Sequence, residues 1–341
     1  MKHILIPRGA KYKANLHAHT TLSDGKRTPE QIKADYAARG YSVVAYTDHN
    51  LLWDHRDLCD DRFLALHGLE FDLWRDAPEP ARRRERHINM IALEQDNLRQ
   101  PCWHREKQFF CPGGEQLRDR VQFDPAKPDF ERAHTTECTN AVFREAADAG
   151  FFVTYNHPDW SRDLYPDYAQ FRGMHAMEIR NYSCVTHGYD EDNGQVYEDL
   201  LRQGQHFYCI AADDTHSKKP ENDPNLGAYG GYILLWAEAL AYRAVTLALE
   251  QGHFYACGGD PDHAGPVIEE LSFENGHIVI ETSPAARITV RTDTKNRSLH
   301  GEGLRRAEFD LNPASSWFRL VVEDENGFKA FTNAYFVEEL P

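Results

Sequence analysis

Asn15-Leu16-His17-Ala18-His19-Thr20-Thr21-Leu22-Ser23-Asp24-Gly25 is the stretch on which the reading of this chain turns. Two histidines one residue apart close a β-like run, and an acid follows at short range. Side chains at i and i+2 of a strand share one side, so His17 and His19 can grip one metal ion together. Asp24, beyond the turn, can reach a neighbouring ion. Two solvent-facing histidines on a strand edge are the other reading of such a pair, and the pair alone does not separate the two.

Further polar clusters repeat the pattern of His or carboxylate at the end of an apolar run. Ser42-Val43-Val44-Ala45-Tyr46-Thr47-Asp48-His49-Asn50 closes on an acid and an imidazole. Ala65-Leu66-His67-Gly68-Leu69-Glu70-Phe71 offers Glu70, and Phe151-Phe152-Val153-Thr154-Tyr155-Asn156-His157-Pro158 offers His157. Phe207 to His216 ends in Asp213-Asp214-Thr215-His216, and His87 opens the run His87-Ile88-Asn89-Met90-Ile91-Ala92-Leu93. Buried imidazoles and carboxylates are unfavourable unless paired or bound to metal. Their recurrence at strand ends predicts an α/β barrel with a metal centre at the C-terminal mouth.

These motifs resemble the polymerase and histidinol phosphatase (PHP) family of metal-dependent phosphoesterases. The resemblance covers residues 13 to 260, with HxH…SDG at 17–25, TDHN at 47–50, Gly-x-Glu at 68–70, His-Pro at 157–158 and Asp-x-His at 214–216 in the family's order. It implies a distorted, TIM-like (β/α)7 barrel with three metal ions, usually manganese, iron or zinc. Position by position, it implies that His17, His19, Glu70 and Asp214 hold one metal and that Asp24, His49 and His216 hold the second. Glu70 would bridge to a third, bound also by His87 and His157. Asp213 departs from the pattern, standing where many members carry a small residue. Glu178 resembles a recurrent acidic position that orients a ligand without being one.

Length and charge bound the rest. At 341 residues the chain has room for one large α/β domain and an appendage. A formal charge of −16 argues against tight binding of long duplex nucleic acid, which depends on Lys and Arg at the phosphates. Bound divalent metals would offset part of that charge and leave small anionic substrates open. Seven cysteines without a CxxC read as a reduced, cytoplasmic inventory, and none falls in the motifs. Ile4-Leu5-Ile6 is too short for an export signal, and Gly231 to Leu249, broken by Glu238 and Arg243, is no membrane span.

Thr28-Pro29-Glu30-Gln31 predicts a capped helix ending at Gly40, and further helices are predicted over 139–149, 196–203 and 239–251. Alternation of these with the strands calls for a parallel sheet and places the clusters at one rim. Residues 94–134, with four prolines and no periodicity, form an insertion or lid in the first domain, 1–264. Trp103, His104, Arg105 and Lys107 are its candidate substrate-facing members. After Gly265-Pro266, strands at 267–273, 277–282, 287–292, 306–311, 317–323 and 328–337 predict a small antiparallel β-sandwich, 265–341. Glu274-Asn275-Gly276 and Glu325-Asn326-Gly327 supply hairpin turns. This domain holds no ligand constellation; packing on the barrel or self-association is its default role, with carbohydrate binding as an alternative.

Mixed imidazole and carboxylate ligands suit Zn, Mn or Fe over Mg or Ca, so two to three such ions per chain are expected. A metal-bridging hydroxide would attack phosphorus in line. The leaving oxygen needs a proton, for which Asp213, His216 and His49 are the nearby candidates, although metal ligation disqualifies the two histidines. Arg180, Lys218, Lys219 and the run Arg82-Arg83-Arg84-Glu85-Arg86 are the candidate phosphate contacts, with Arg84 at its centre. Hydrolysis of a small phosphorylated metabolite or nucleotide is the leading reading. Cleavage of short oligonucleotides, amide or ester hydrolysis on a related metallo-barrel, and a metal-stabilised binding module without turnover are the alternatives.

Overall fold

In the computed structural model, residues 2–7, 9–75, 77–79, 83–190, 192–220 and 223–340 are described. A short strand β1 (His3–Ile4) precedes β2 (Lys11–Asn15), the run that delivers the two histidines. The predicted cap forms: Thr28 Oγ1 accepts from the Gln31 N–H, and Gln31 Oε1 accepts from the Thr28 N–H, which starts helix α1 (Pro29–Ala37) at the proline. Strands β3 (Val43–Tyr46), β4 (Leu64–Arg75) and β5 (Arg84–Ala92) follow. The insertion contributes a one-turn helix, α2 (Pro112–Glu115). Helix α3 (Thr136–Asp148) starts three residues earlier than predicted, because Thr135 caps it by accepting from the Cys138 N–H. Then come β6 (Phe151–Tyr155), short α4 (Pro158–Ser161) and α5 (Tyr165–Tyr168), β7 (Ala176–Asn181), α6 (Tyr182–Thr186), α7 (Gly194–Leu201), β8 (Tyr208–Ala212), β9 (Gly231–Trp236), α8 (Tyr242–Glu250) and β10 (Phe254–Gly258).

Strands β2 to β8 lie side by side in chain order. The pairs β2/β3, β3/β4, β6/β7 and β7/β8 are parallel, as the alternation with helices requires. Strand β5 is antiparallel to both β4 and β6, against the expected parallel sheet. Only residues 76–83 separate β4 from β5, too few for the crossover that a parallel pair needs. The reversal brings the start of β5 to the rim where β3, β6 and β8 end. Beyond β8 the chain bonds back to the segment beyond β2: the Asp214 N–H donates to the His17 carbonyl and the His19 N–H to that of Thr215. Leu, Val and Phe side chains of α3 and α7, including Val142, Phe143 and Leu200, pack under β5 to β7 in one apolar cluster.

The C-terminal strands are β11 (Ile268–Glu274), β12 (His277–Thr292), β13 (Arg297–Asp310), β14 (Trp317–Glu323), β15 (Lys329–Thr332) and β16 (Tyr335–Phe336), all paired antiparallel. Asn275 and Gly276 make the first predicted turn with φ of 50° and 82°, the left-handed pair that a two-residue hairpin takes. The two short strands expected at 277–282 and 287–292 are one strand, β12, interrupted by bulges on either side of Ala285. Its first half pairs with β11 and its second with β14. The ladder continues through β15 to β10, where Tyr255 faces Thr332 and Cys257 faces Ala330, so these strands share one sheet with β2 to β8. A buried carboxylate ties the two regions further. Glu198 of α7 accepts from Arg291 of β12 at 2.7 Å and from Arg319 of β14 at 2.6 Å.

The insertion is ordered against the loops of the rim. Trp103, Phe110 and Val121 form a small apolar cluster with Leu51. Gln100 and Gln108 donate to the Asn50 carbonyl, and Arg132 donates to the Asn50 side chain. A Cβ at Gly113 would stand 2.1 Å from the Thr21 carbonyl oxygen, so only glycine allows α2 to sit on the loop that carries Asp24. All seven cysteines are free thiols, and among the described residues no helix is long and apolar enough to cross a membrane.

Glu198→Ala leaves the buried Arg319 guanidinium without its carboxylate and is expected to destabilise the fold by about 3–5 kcal/mol. Chemical denaturation measures it; a midpoint unchanged from the wild type contradicts the lock.

Candidate metal centre

Glu70, in the middle of β4, stands at the centre of the rim. Its Oε1 lies 3.2 Å from His17 Nε2, 3.2 Å from His87 Nδ1 and 3.3 Å from His157 Nε2. Its Oε2 lies 3.2 Å from His19 Nε2 and 3.3 Å from His49 Nδ1. The strands explain this convergence. His17 and His19 follow β2, His49 follows β3 in a parallel bridge with Glu70, and His157 follows β6. His87 reaches the same place because β5 runs backwards, which sets it opposite Asp72 in the ladder.

Three groups of donors can each hold a cation: His17, His19, Glu70 and Asp214; His19, Asp24, His49 and His216; and His49, Glu70, Asp72 and His87. Ligands about 2.1 Å from a tetrahedral ion stand about 3.4 Å from one another. The donors of the first group meet that spacing: His17 Nε2 and His19 Nε2 are 3.2 Å apart, and Asp214 Oδ1 lies 3.3 Å and 3.0 Å from them. In the second, Asp24 Oδ1 is 3.2 Å from His216 Nε2 and 3.8 Å from His49 Nε2. Asp24 Oδ1 and Asp214 Oδ1 are buried without a hydrogen-bond donor among the described residues, which is how a carboxylate aimed at a metal stands.

The electrostatics agree. Burial alone would pull the imidazoles of His17, His19 and His87 down, but the carboxylates beside them outweigh it and hold all three above their ordinary values, His19 at about 10. Burial would likewise raise Glu70, Asp214 and Asp24, yet the imidazoles keep them well below the usual carboxylate range. The cluster calls for positive charge, which protons or metal ions can supply.

A second ring of side chains fixes the donors. Glu178, buried on β7, accepts from His17 Nδ1 at 2.7 Å and from the His157 N–H at 2.9 Å, which turns His17 Nε2 toward the cluster. Asp48 accepts from the Thr20 N–H, the Thr20 hydroxyl and the Ser23 hydroxyl, pinning the turn to Asp24. A Cβ at Gly25 would stand 2.6 Å from the His19 carbonyl oxygen, which accounts for the glycine after Ser-Asp. Asn50, His157 and Asp214 hold φ of 57°, 26° and 54°, left-handed values that a non-glycine residue keeps only where its surroundings fix it.

The nine residues expected to hold metal lie together at this rim, and their groups differ from the expected ones in two places. His19 stands in the second group as well as the first. The third group takes His49 and Asp72 where His157 was expected; His157 instead touches Glu70 and stands 3.9 Å from Asp214 Oδ2. Asp72 was legible in principle, being two residues from Glu70 on the same strand face. The expected proton donor Asp213 turns away. Its oxygens accept from Tyr36 Oη and the N–H groups of Tyr229, Gly230 and Gly231, and burial pushes it up to about 6. His49 and His216 stand in the ligand groups, so neither is a spare acid. Arg180 is buried against Gly258, with Nη2 3.2 Å from the Gly259 carbonyl, and is not among the residues that line the cavity over the cluster.

A cavity of about 720 Å³ opens over the ligands. Lys218 and Lys219 line it as expected, Lys218 Nζ lying 2.7 Å from Asp24 Oδ2. Arg83 lines it in place of Arg84, which opens β5 across from Arg75; Arg82 lies outside the described residues. Of the insertion, Phe109 and Cys111 face the cavity. Trp103 stacks on Phe123, His104 and Lys107 pair with Glu131, and Arg105 pairs with Asp129, so none of those four does. Trp160, wedged against His87 and His157, and His187 also line the wall; neither carried a sequence signal.

No protein-family model matches the chain, and no curated protein matches it. Solved structures do. A two-domain protein from Bacteroides vulgatus containing a predicted PHP-like metal-dependent phosphoesterase is 17% identical, with 97% of this chain and 98% of that one covered and a TM-score of 0.46. A protein from Bifidobacterium adolescentis, described provisionally as a metal-dependent phosphoesterase, is 16% identical over 62% of this chain and 90% of its own, with a TM-score of 0.39. An amidohydrolase from Chromobacterium violaceum is 16% identical over 71% and 96%, with a TM-score of 0.40. Two of these three are described as metal-dependent phosphoesterases, one of them PHP-like, while identities and TM-scores this low leave function to the geometry of the site.

Glu70→Gln keeps the shape of the central side chain and removes its charge. It is expected to lower bound metal by at least about one ion per chain, and Glu178→Gln to weaken metal affinity about 10- to 100-fold. Elemental analysis after dialysis against graded free metal measures both; wild-type occupancy in Glu70→Gln contradicts the centre.

Proposed function

We propose that this chain hydrolyses phosphomonoesters of small molecules, using two to three ions of manganese, iron or zinc at the mouth of a TIM-like barrel built from β2 to β8. The observation that carries the reading is the sharing of Glu70 between donor groups, with His19 and His49 shared as well, so that neighbouring cations would sit close enough to act on one phosphate. When bound, such ions acidify water toward neutrality and neutralise the oxygens of a phosphoryl group. In this reading the strands β11 to β16 are the appendage, joined to the rest of the sheet where β15 pairs with β10.

The chain's own residues supply the rest. Lys218 and Lys219 line the cavity over the donor groups, and Arg83, just before β5, lines it too. These cations favour an anionic substrate over the neutral group that an amide hydrolase accepts. A cavity of about 720 Å³ suits a metabolite-sized ester. Trp160 and Phe109 offer apolar walls to its organic part, and the insertion helps to exclude water.

Chelator-treated protein is expected to release no phosphate from a panel of sugar phosphates, nucleoside monophosphates and 4-nitrophenyl phosphate, and to recover on addition of manganese, zinc or iron. Metal-replete protein that hydrolyses none of them contradicts the reading. Lys218→Ala is expected to raise KM about tenfold with metal content unchanged, as loss of one half-exposed charged contact does. An unaltered KM removes Lys218 from the phosphate site.

A further inference from the structure

We propose that His187 protonates the leaving oxygen of the substrate, an inference that rests on the phosphomonoesterase reading above. An alkyl phosphate releases a strongly basic oxygen, so the site needs a group that presents a proton on the cavity side. Asp213 is sealed behind its four donors, and His49 and His216 stand in the ligand groups. Among other residues lining the cavity, burial holds the Cys111 thiol up at about 12 and raises that of Cys184 well above its ordinary value. Lys218 is engaged with Asp24, and Arg83 and Glu85 pair with each other.

His187 differs from all of these in geometry. It is exposed, lines the cavity, and follows the last turn of α6. Its Nδ1 lies 2.7 Å from the Ser183 carbonyl oxygen. A carbonyl only accepts, so Nδ1 carries the hydrogen of that bond and Nε2 is left for the cavity. The position of α6 is set by the metal centre itself. Asn181 caps this helix by accepting from the Cys184 N–H, while its Nδ2 donates to Glu178 Oε2 at 2.9 Å and to Asp214 Oδ2 at 3.3 Å. One side chain therefore registers the helix that ends at His187 against a ligand carboxylate and against the carboxylate that aims His17.

The step balances without a further reagent. Water oxygen bonds to phosphorus and gives up a proton to solvent. The P–O bond to the organic group breaks with its electron pair on the leaving oxygen. That oxygen takes the proton from His187 Nε2 and departs as the alcohol, and the neutral imidazole regains a proton from solvent.

The test compares metal-loaded wild type with His187→Ala and His187→Gln on an alkyl monoester, glycerol 2-phosphate, and on 4-nitrophenyl phosphate, whose leaving group needs no proton. Both variants are expected to lose about 100-fold or more in kcat/KM on the alkyl ester and less than about fivefold on the aryl ester, with wild-type metal content. Equal losses on the two esters, or no loss on either, overturn the role of His187 while the phosphoesterase reading stands. Hydrolysis of neither ester by the wild type overturns that reading, and the role of His187 with it.

Discussion

One buried carboxylate among five imidazoles organises this molecule. Glu70 is almost wholly sealed from solvent, and its two oxygens meet His17, His19, His49, His87 and His157 at 3.2–3.3 Å. A lone charge so placed would be strongly unfavourable, and so would the imidazoles, each drawn from water. Together they are tolerable only when positive charge sits between them. Protons on the imidazoles or bound cations can supply that charge, and each strand end that delivers a donor is constrained by all the others.

The scaffold serves that convergence in two ways. Parallel strands bring His49, His157, Asp214 and His216 to one rim, and the reversed β5 adds His87 and sets it across from Asp72. Around them lies a shell of fixed hydrogen bonds from Asp48, Glu178, Asn181 and Asn50. The insertion reaches the same shell, since Gln100 and Gln108 hold the Asn50 carbonyl and Arg132 its side chain. Asn50 in turn donates to Asp72 Oδ2, a candidate ligand. A segment without periodicity in the sequence thus acts on the metal loop through amide side chains.

The convergence of these donors was legible because each stands in a local pattern of an apolar run closing on a donor, and alternation along a strand is a short-range rule. The same rule, applied once more from Glu70, reaches Asp72. The direction of β5 was less accessible: the sequence between β4 and β5 contains no Asn-Gly, and the arginines there read as phosphate contacts. Asp213 and Arg180 could not be assigned from neighbours in sequence at all. The donors that capture Asp213 lie on Tyr36 and residues 229–231, and Arg180 lies against Gly258 on another strand. Where long-range packing decides which way a polar side chain points, local pattern gives its chemistry and not its partner. His187 shows the converse, an ordinary surface histidine in sequence that the fold carries to the cavity wall.

The central claim is that cations sit on both sides of Glu70. An anomalous difference map from crystals grown with manganese or zinc tests it most directly. Peaks within bonding distance of Glu70, one shared with His17, His19 and Asp214 and another with His49, Asp72 or His87, are the predicted result. A map of metal-soaked crystals with no peak at Glu70, its imidazoles unchanged, would contradict the account.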